Sequence, residues 1–184
     1  MKTAIVTGAS AGLGREIVRQ IAAVFPEIEA YWLIARRAER LEELAAAMPD
    51  QQVDCMPLDL CDPMSFMTLQ EKLASEQPEV ALLVNNAGCG YLGNVGEVET
   101  STQTRMIDLN LRALTAVTNI TVPFMAPGSR ILNVSLPSTA VSQMCMSLER
   151  LKFTQITEQK SRLSGNLRKK FLAFWVCQER DTGS

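Results

Sequence analysis

The chemistry of this chain is concentrated in one run, Thr7-Gly8-Ala9-Ser10-Ala11-Gly12-Leu13-Gly14. It follows a short apolar stretch, Thr3 to Val6, and opens a segment at helical spacing. Glycines in a strand-to-helix turn let the backbone turn tightly and approach a pyrophosphate. The helix N-terminus then offers unpaired N–H donors and a favourable dipole to the anion. The competing reading, a merely structural turn, loses ground because the run sits between a strand and a helix. There are no histidines among the 184 residues, which excludes Ser-His-Asp, Cys-His and His-ligated metal schemes built from this chain alone. The cysteines, Cys55, Cys61, Cys89, Cys145 and Cys177, are five in number with no CxxC pair. That argues against a zinc ribbon or a disulfide framework and for thiols in a reducing cytoplasm. A net charge of −2 gives no reason to expect nucleic acid or an anionic membrane as partner.

The elements that must carry this turn repeat along the chain. Gly12 to Val24 has Leu13, Ile17, Ile21 and Val24 at helical spacing, ended by Pro26. Ala30 to Ala35 is a fully apolar strand. Arg37 to Met48 is a helix stopped by Pro49, and Gln52 to Leu58 a third strand. Asp62-Pro63 reads as a cap with proline in the first turn, opening a helix to about Glu76. Val80 to Val84 is a fourth strand, Thr100 to about Met125 one long helix, and Arg130 to Val134 a fifth strand. Apolar strands alternating with helices imply right-handed β-α-β units and a parallel sheet covered on both faces. The expectation is an α/β fold, a Rossmann-type doubly wound sheet of order 3-2-1-4-5, with its ligand at the carboxyl ends of the strands. No apolar stretch reaches the roughly 18–20 residues of a membrane span. The opening Met1-Lys2 leads straight into a strand, so no signal peptide is expected.

The TGxxxGxG spacing of Thr7 to Gly14, with Asn85-Asn86-Ala87-Gly88 closing the fourth strand, resembles the short-chain dehydrogenases/reductases. The resemblance covers residues 1 to about 135. It implies NAD(P) binding by Gly8, Ser10, Gly12, Leu13, Gly14, Asp59, Leu60, Asn86, Ala87 and Gly88, with Asp59 contacting the adenine. It places the family's catalytic Asn at Asn110, and the strand leading into its catalytic Ser at Ile131 to Ser135. It implies hydride transfer between the cofactor and a small ketone, aldehyde or secondary alcohol, and pairing of subunits through long helices. At the end of the second strand, NAD enzymes carry an acid for the ribose 2′-OH. Here Ala35 stands there, followed by Arg36 and Arg37. A missing carboxylate and an available guanidinium suit NADP, because Arg grips phosphate in a bidentate fork. By resemblance Arg36 is the phosphate clamp, with Arg37 or Arg15 as helpers; the alternative is that these are solvated charges at a helix start.

The family pattern then breaks. Its members donate a proton from a Tyr whose pKa is lowered by a Lys four positions on, and polarise the carbonyl with a Ser. This chain has only Tyr31 and Tyr91, both before the fifth strand, and neither is followed four residues later by Lys. Ser135 occupies the first place of the family's Ser-Ser pair and Leu136 the second. Loss of a general acid typically removes about 10²–10⁴-fold in rate, so impaired catalysis is expected.

Residues 1–135 therefore read as an NAD(P)-binding domain and 136–184 as a divergent basic tail. After residue 147, Lys and Arg number eight against four Asp and Glu. Three readings of the tail stay open. One is a shifted frame or truncated gene near residue 136. The second is a basic amphipathic helix, through Leu163, Leu167, Phe171 and Phe174, for a partner groove or membrane surface. The third is a divergent helix packed on the sheet. A non-catalytic NADP-binding or interaction protein is the alternative to an oxidoreductase.

Overall fold

Residues 1–91 and 96–134 are described by a computed structural model of the chain. Five strands, β1 (Lys2–Thr7), β2 (Ala30–Ala35), β3 (Gln52–Pro57), β4 (Glu79–Asn85) and β5 (Arg130–Asn133), form one parallel sheet in the order β3-β2-β1-β4-β5. This is the expected doubly wound order. The helices between them are α1 (Gly12–Val24), α2 (Ala38–Ala46), α3 (Pro63–Glu76), α4 (Thr100–Ile107) and α5 (Leu114–Thr121).

The central strands are apolar on both faces because both faces are covered. Ile5, Trp32, Ile34 and Leu83 share one core with Leu69 and Leu73 of α3 and with Val117 of α5. Their sequence neighbours Ala4, Val6, Tyr31 and Leu33 alternate to the other face and are fully buried too. At the β3 edge, the Lys72 ammonium lies 4.6 Å from the Trp32 ring centroid and 3.3 Å from the Asp54 carboxylate.

The buried stripe of α1 differs from the expected one by a small rotation. Gly14, Ile17, Val18 and Ile21 face inward, whereas Leu13 is 36 % exposed. The reason is Gly14. A Cβ there would lie 2.2 Å from the Gly8 carbonyl oxygen. The helix can seat against the first turn only with this glycine inward, and residues three, four and seven further on follow it into the core.

The single helix expected from Thr100 to Met125 is corrected. The run is helical throughout but changes character twice. A π-helical segment, Asp108–Ala113, separates α4 from α5, and a 3₁₀ turn, Val122–Phe124, ends it. Apolar periodicity does not register one residue added to a turn. The boundary of α3 matches its signals: Asp62 accepts a 2.9 Å hydrogen bond from the Met64 amide, and Pro63 occupies the first turn. Among the described residues, no helix is long and apolar enough to cross a membrane.

Candidate functional site

The carboxyl ends of β1, β2, β3 and β4 border a cleft of about 250 Å³. Its lining draws on Gly8, Ser10, Arg36, Arg37, Asp59 and Asn86, together with Leu60, Ala87 and Gly88. All of these belong to the cofactor set expected from the sequence. Gly12, Leu13 and Gly14, also in that set, form the first turn of α1 and are not among the residues that line the cleft.

The floor of the cleft is a knot between the ends of β1 and β4. The Thr7 hydroxyl donates to the Val84 carbonyl at 3.3 Å and accepts from the amides of Asn86 and Ala87, each at 3.0 Å. The Asn86 side-chain amide donates to the carbonyls of Thr7 (3.2 Å) and Gly8 (3.1 Å). Gly8 has φ +68°, and a Cβ on it would lie 2.7 Å from Asn86 Nδ2 and 2.9 Å from the Ala87 Cα. Only glycine fits, by conformation and by space alike. Gly12 has φ +53° with open space around it, so there conformation alone selects glycine. The N-cap residue of α1 is Ala11, which supplies no side-chain cap, and the first turn holds no acid. The first amides of α1 therefore keep donors and dipole available to an anion.

The wall at the ends of β2 and β3 carries the charge. Arg37 Nη2 donates to the Ser10 hydroxyl at 3.3 Å, tying the β2 exit to the glycine turn. The exposed Arg36 side chain makes no hydrogen bond or ion pair with another described residue. Arg15 pairs with Glu43 at 3.5 Å and is not among the residues that line the cleft. Asp59 is held from two sides: Oδ1 accepts from the Cys61 amide at 3.0 Å, and Oδ2 from Arg105 Nη2 at 2.8 Å. Burial alone would raise the Asp59 carboxyl. The Cys61 amide and the Arg105 guanidinium outweigh it and hold the group below the usual carboxylate range, with Arg36 acting in the same sense. Burial pushes the neighbouring Cys61 thiol up, against the pull of Arg105.

Asn110 sits in the π-helical segment. Its Oδ1 accepts from the Cys89 amide at 2.9 Å and its Nδ2 donates to the Cys89 carbonyl at 2.7 Å. The side chain thus pins the backbone just after Asn85-Asn86-Ala87-Gly88. Ser135 and the tail 136–184 lie outside the described residues.

A profile of the short chain dehydrogenase family matches residues 2–148. The chain belongs to this family. The short-chain dehydrogenase match runs past residue 135, where the sequence motifs fade. An uncharacterized oxidoreductase, YusZ, of Bacillus subtilis is 32 % identical over 142 residues, covering 73 % of this chain and 48 % of its own length. An NADP-dependent 3-hydroxy acid dehydrogenase of Schizosaccharomyces pombe is 32 % identical over 139 residues, 72 % of this chain and 53 % of its own. A blue fluorescent protein from a metagenomic library, solved in complex with NADPH, superposes with a TM-score of 0.61 at 29 % identity, covering 72 % of this chain and 54 % of that one. This short-chain dehydrogenase chain therefore spans about half the length of the curated relatives it matches.

Three residues make contacts that the sequence motifs do not announce. Thr7 and Asn85 lie inside the motifs but had no assigned work. The Thr7 hydroxyl joins β1 to β4, and Asn85 Nδ2 donates to Thr118 Oγ1 and to Asn133 Oδ1, each at 2.9 Å. Arg105 carries no motif signal: its partner Asp59 lies 46 residues earlier, and only the fold brings them together.

Proposed function

We propose that this chain binds NADP(H) in preference to NAD(H), in the cleft at the carboxyl ends of β1 to β4. The observation that carries the reading is Arg36: its guanidinium makes no hydrogen bond or ion pair with another described residue, and it follows the end of β2, where an acid would favour an unphosphorylated ribose. The cradle suits the group as well. Gly8 and Gly14 let the start of α1 close onto the ends of β1 and β4, Gly12 faces open space, and the uncapped start of α1 presents amides to a pyrophosphate. Arg36 would hold the 2′-phosphate, with Arg37 anchored beside it on Ser10. Asp59 would accept from the adenine amino group. When bound, the cofactor supplies the hydride for exchange with a small carbonyl or secondary alcohol.

The proton is the weak step. Neither tyrosine is followed at the fourth position by Lys. Tyr31 is fully buried in β2, and burial and Glu27 push its hydroxyl up to about 12. A group so placed gives no proton to a substrate. We therefore read the chain as a cofactor binder with weak or no turnover of its own.

Fluorescence titration of the full chain with NADPH and NADH tests the preference. NADPH is expected to bind more tightly, and Arg36→Ala to weaken NADPH by about tenfold or more with little change for NADH, since hydrogen bonds to charged groups are worth about 1.5–3 kcal/mol. Equal affinities in the parent protein overturn the preference.

A further inference from the structure

β2 and β3 end side by side. Ala35 pairs with Pro57, and the Leu58 amide donates to the Ala35 carbonyl at 3.1 Å. The residues that follow, Arg36 on one strand and Asp59 on the other, line the same cleft. Two opposite charges so placed would ordinarily pair, and Arg36 would then be tied to a carboxylate. Instead Arg105 reaches over from α4 and takes Asp59 Oδ2 at 2.8 Å, while the Cys61 amide occupies Oδ1. Arg36 has no such partner among the described residues.

We propose that Arg105 is a specificity-positioning residue: by occupying the Asp59 carboxylate it keeps Arg36 free for a 2′-phosphate. Arg105 itself touches neither phosphate nor adenine in this scheme. It acts through Asp59 on Arg36, and it also cancels a negative charge that would repel a phosphate carrying close to two of its own. Remove Arg105, and Arg36 faces an Asp59 carboxylate that no other guanidinium compensates. The cleft then discriminates poorly between phosphorylated and unphosphorylated ribose, even though both clamp arginines remain. The side chains of Arg105 and Asp59 are 41 % and 38 % exposed, so solvent screens the pair and the effect is a few-fold one.

The proposal rests on the NADP reading of this cleft, and the test separates the two. The full chain is titrated with 2′,5′-ADP and with 5′-AMP, which differ only in the 2′-phosphate, and the ratio of affinities is followed. The parent is expected to favour 2′,5′-ADP. Arg105→Gln should lower that ratio by about three- to fivefold, the range that exposed ion pairs produce. Arg105→Lys should retain it. Adding Asp59→Asn to Arg105→Gln should restore it, because the competing carboxylate is gone. In an Arg36→Ala background, Arg105→Gln should move the ratio by less than it does in the parent, because only the direct repulsion by Asp59 is left. An unchanged ratio in Arg105→Gln overturns the proposal, as does an equal loss for both ligands, which would mean that Arg105 merely holds Asp59 for adenine. A parent that binds the two ligands equally, with Arg36→Ala also without effect, overturns the NADP reading and this proposal with it.

Discussion

Residues in this cleft are fixed by small exclusions as much as by attractions. Gly14 has no Cβ because the Gly8 carbonyl is in its place, and that one contact sets the rotation of α1. The motif itself was legible in the sequence as a run of glycines. Which glycine serves conformation and which serves space was not, because spacing alone does not show what stands opposite. Tyr31 is the converse case, a residue that looks chemical and is structural. It is fully buried in β2, and its hydroxyl has no hydrogen-bond partner among the described residues. A buried unmade hydrogen bond costs about 1–3 kcal/mol, so Tyr31→Phe should leave stability unchanged or raise it by about 1 kcal/mol in urea unfolding. Its pH behaviour follows from the raised pKa. The folded protein holds the phenol proton up to about pH 12, whereas the unfolded chain releases it near the reference value of about 10. The contribution to stability is therefore whole below pH 10 and is lost as the pH rises from there towards 12. Alkaline unfolding should be steeper in the parent than in Tyr31→Phe across that window. Identical slopes would mean that the phenol is not buried as described.

At the scale of elements, all five strands and their order could be read from alternating apolar runs and breaker residues. Parallel β-α-β connections leave few topologies open. The helix after β4 was legible in extent but not in character. Asn110 explains the difference. It holds the Cys89 amide and carbonyl together from within the π-helical segment Asp108–Ala113. Functional sites are a frequent location for such segments. The long-range bonds of Asn110 span 21 residues and carry no sequence signature of their own. Asn110→Ala should remove both hydrogen bonds to the Cys89 backbone, lowering stability by about 1–3 kcal/mol. It should also speed exchange of the Cys89 amide in hydrogen-exchange mass spectrometry, more than exchange in β4. Unaltered protection after Cys89 would show that the loop is held by something other than this side chain.

For the molecule as a whole, the cofactor cleft and the proton donor obey different requirements. The cleft depends on strand ends and one helix start, all within residues 1–110, where local pattern and fold agree. A general acid must stand within hydrogen-bond reach of the carbonyl oxygen that takes the proton, and the sequence has no Tyr with a Lys four residues on. Binding and turnover should therefore separate. A ligand that binds only the folded chain stabilises it by about 2.7 kcal/mol at a hundred times its Kd. For a chain of this size that raises the Tm by about 5–10 °C. Thermal unfolding with saturating NADPH should show such a rise, larger than with NADH at equal concentration. The same preparation, offered a panel of ketones and aldehydes, should oxidise NADPH no faster than the protein-free blank. A shift with no turnover is the outcome expected if the chain binds the cofactor without donating the proton, as proposed above. Turnover above the blank would require a proton from some other group, and its pH profile would report that group's pKa. No shift with either cofactor would place the fault in the cleft itself, and Arg36, without a hydrogen bond or ion pair among the described residues, and the uncapped α1 would then be features of an ordinary turn.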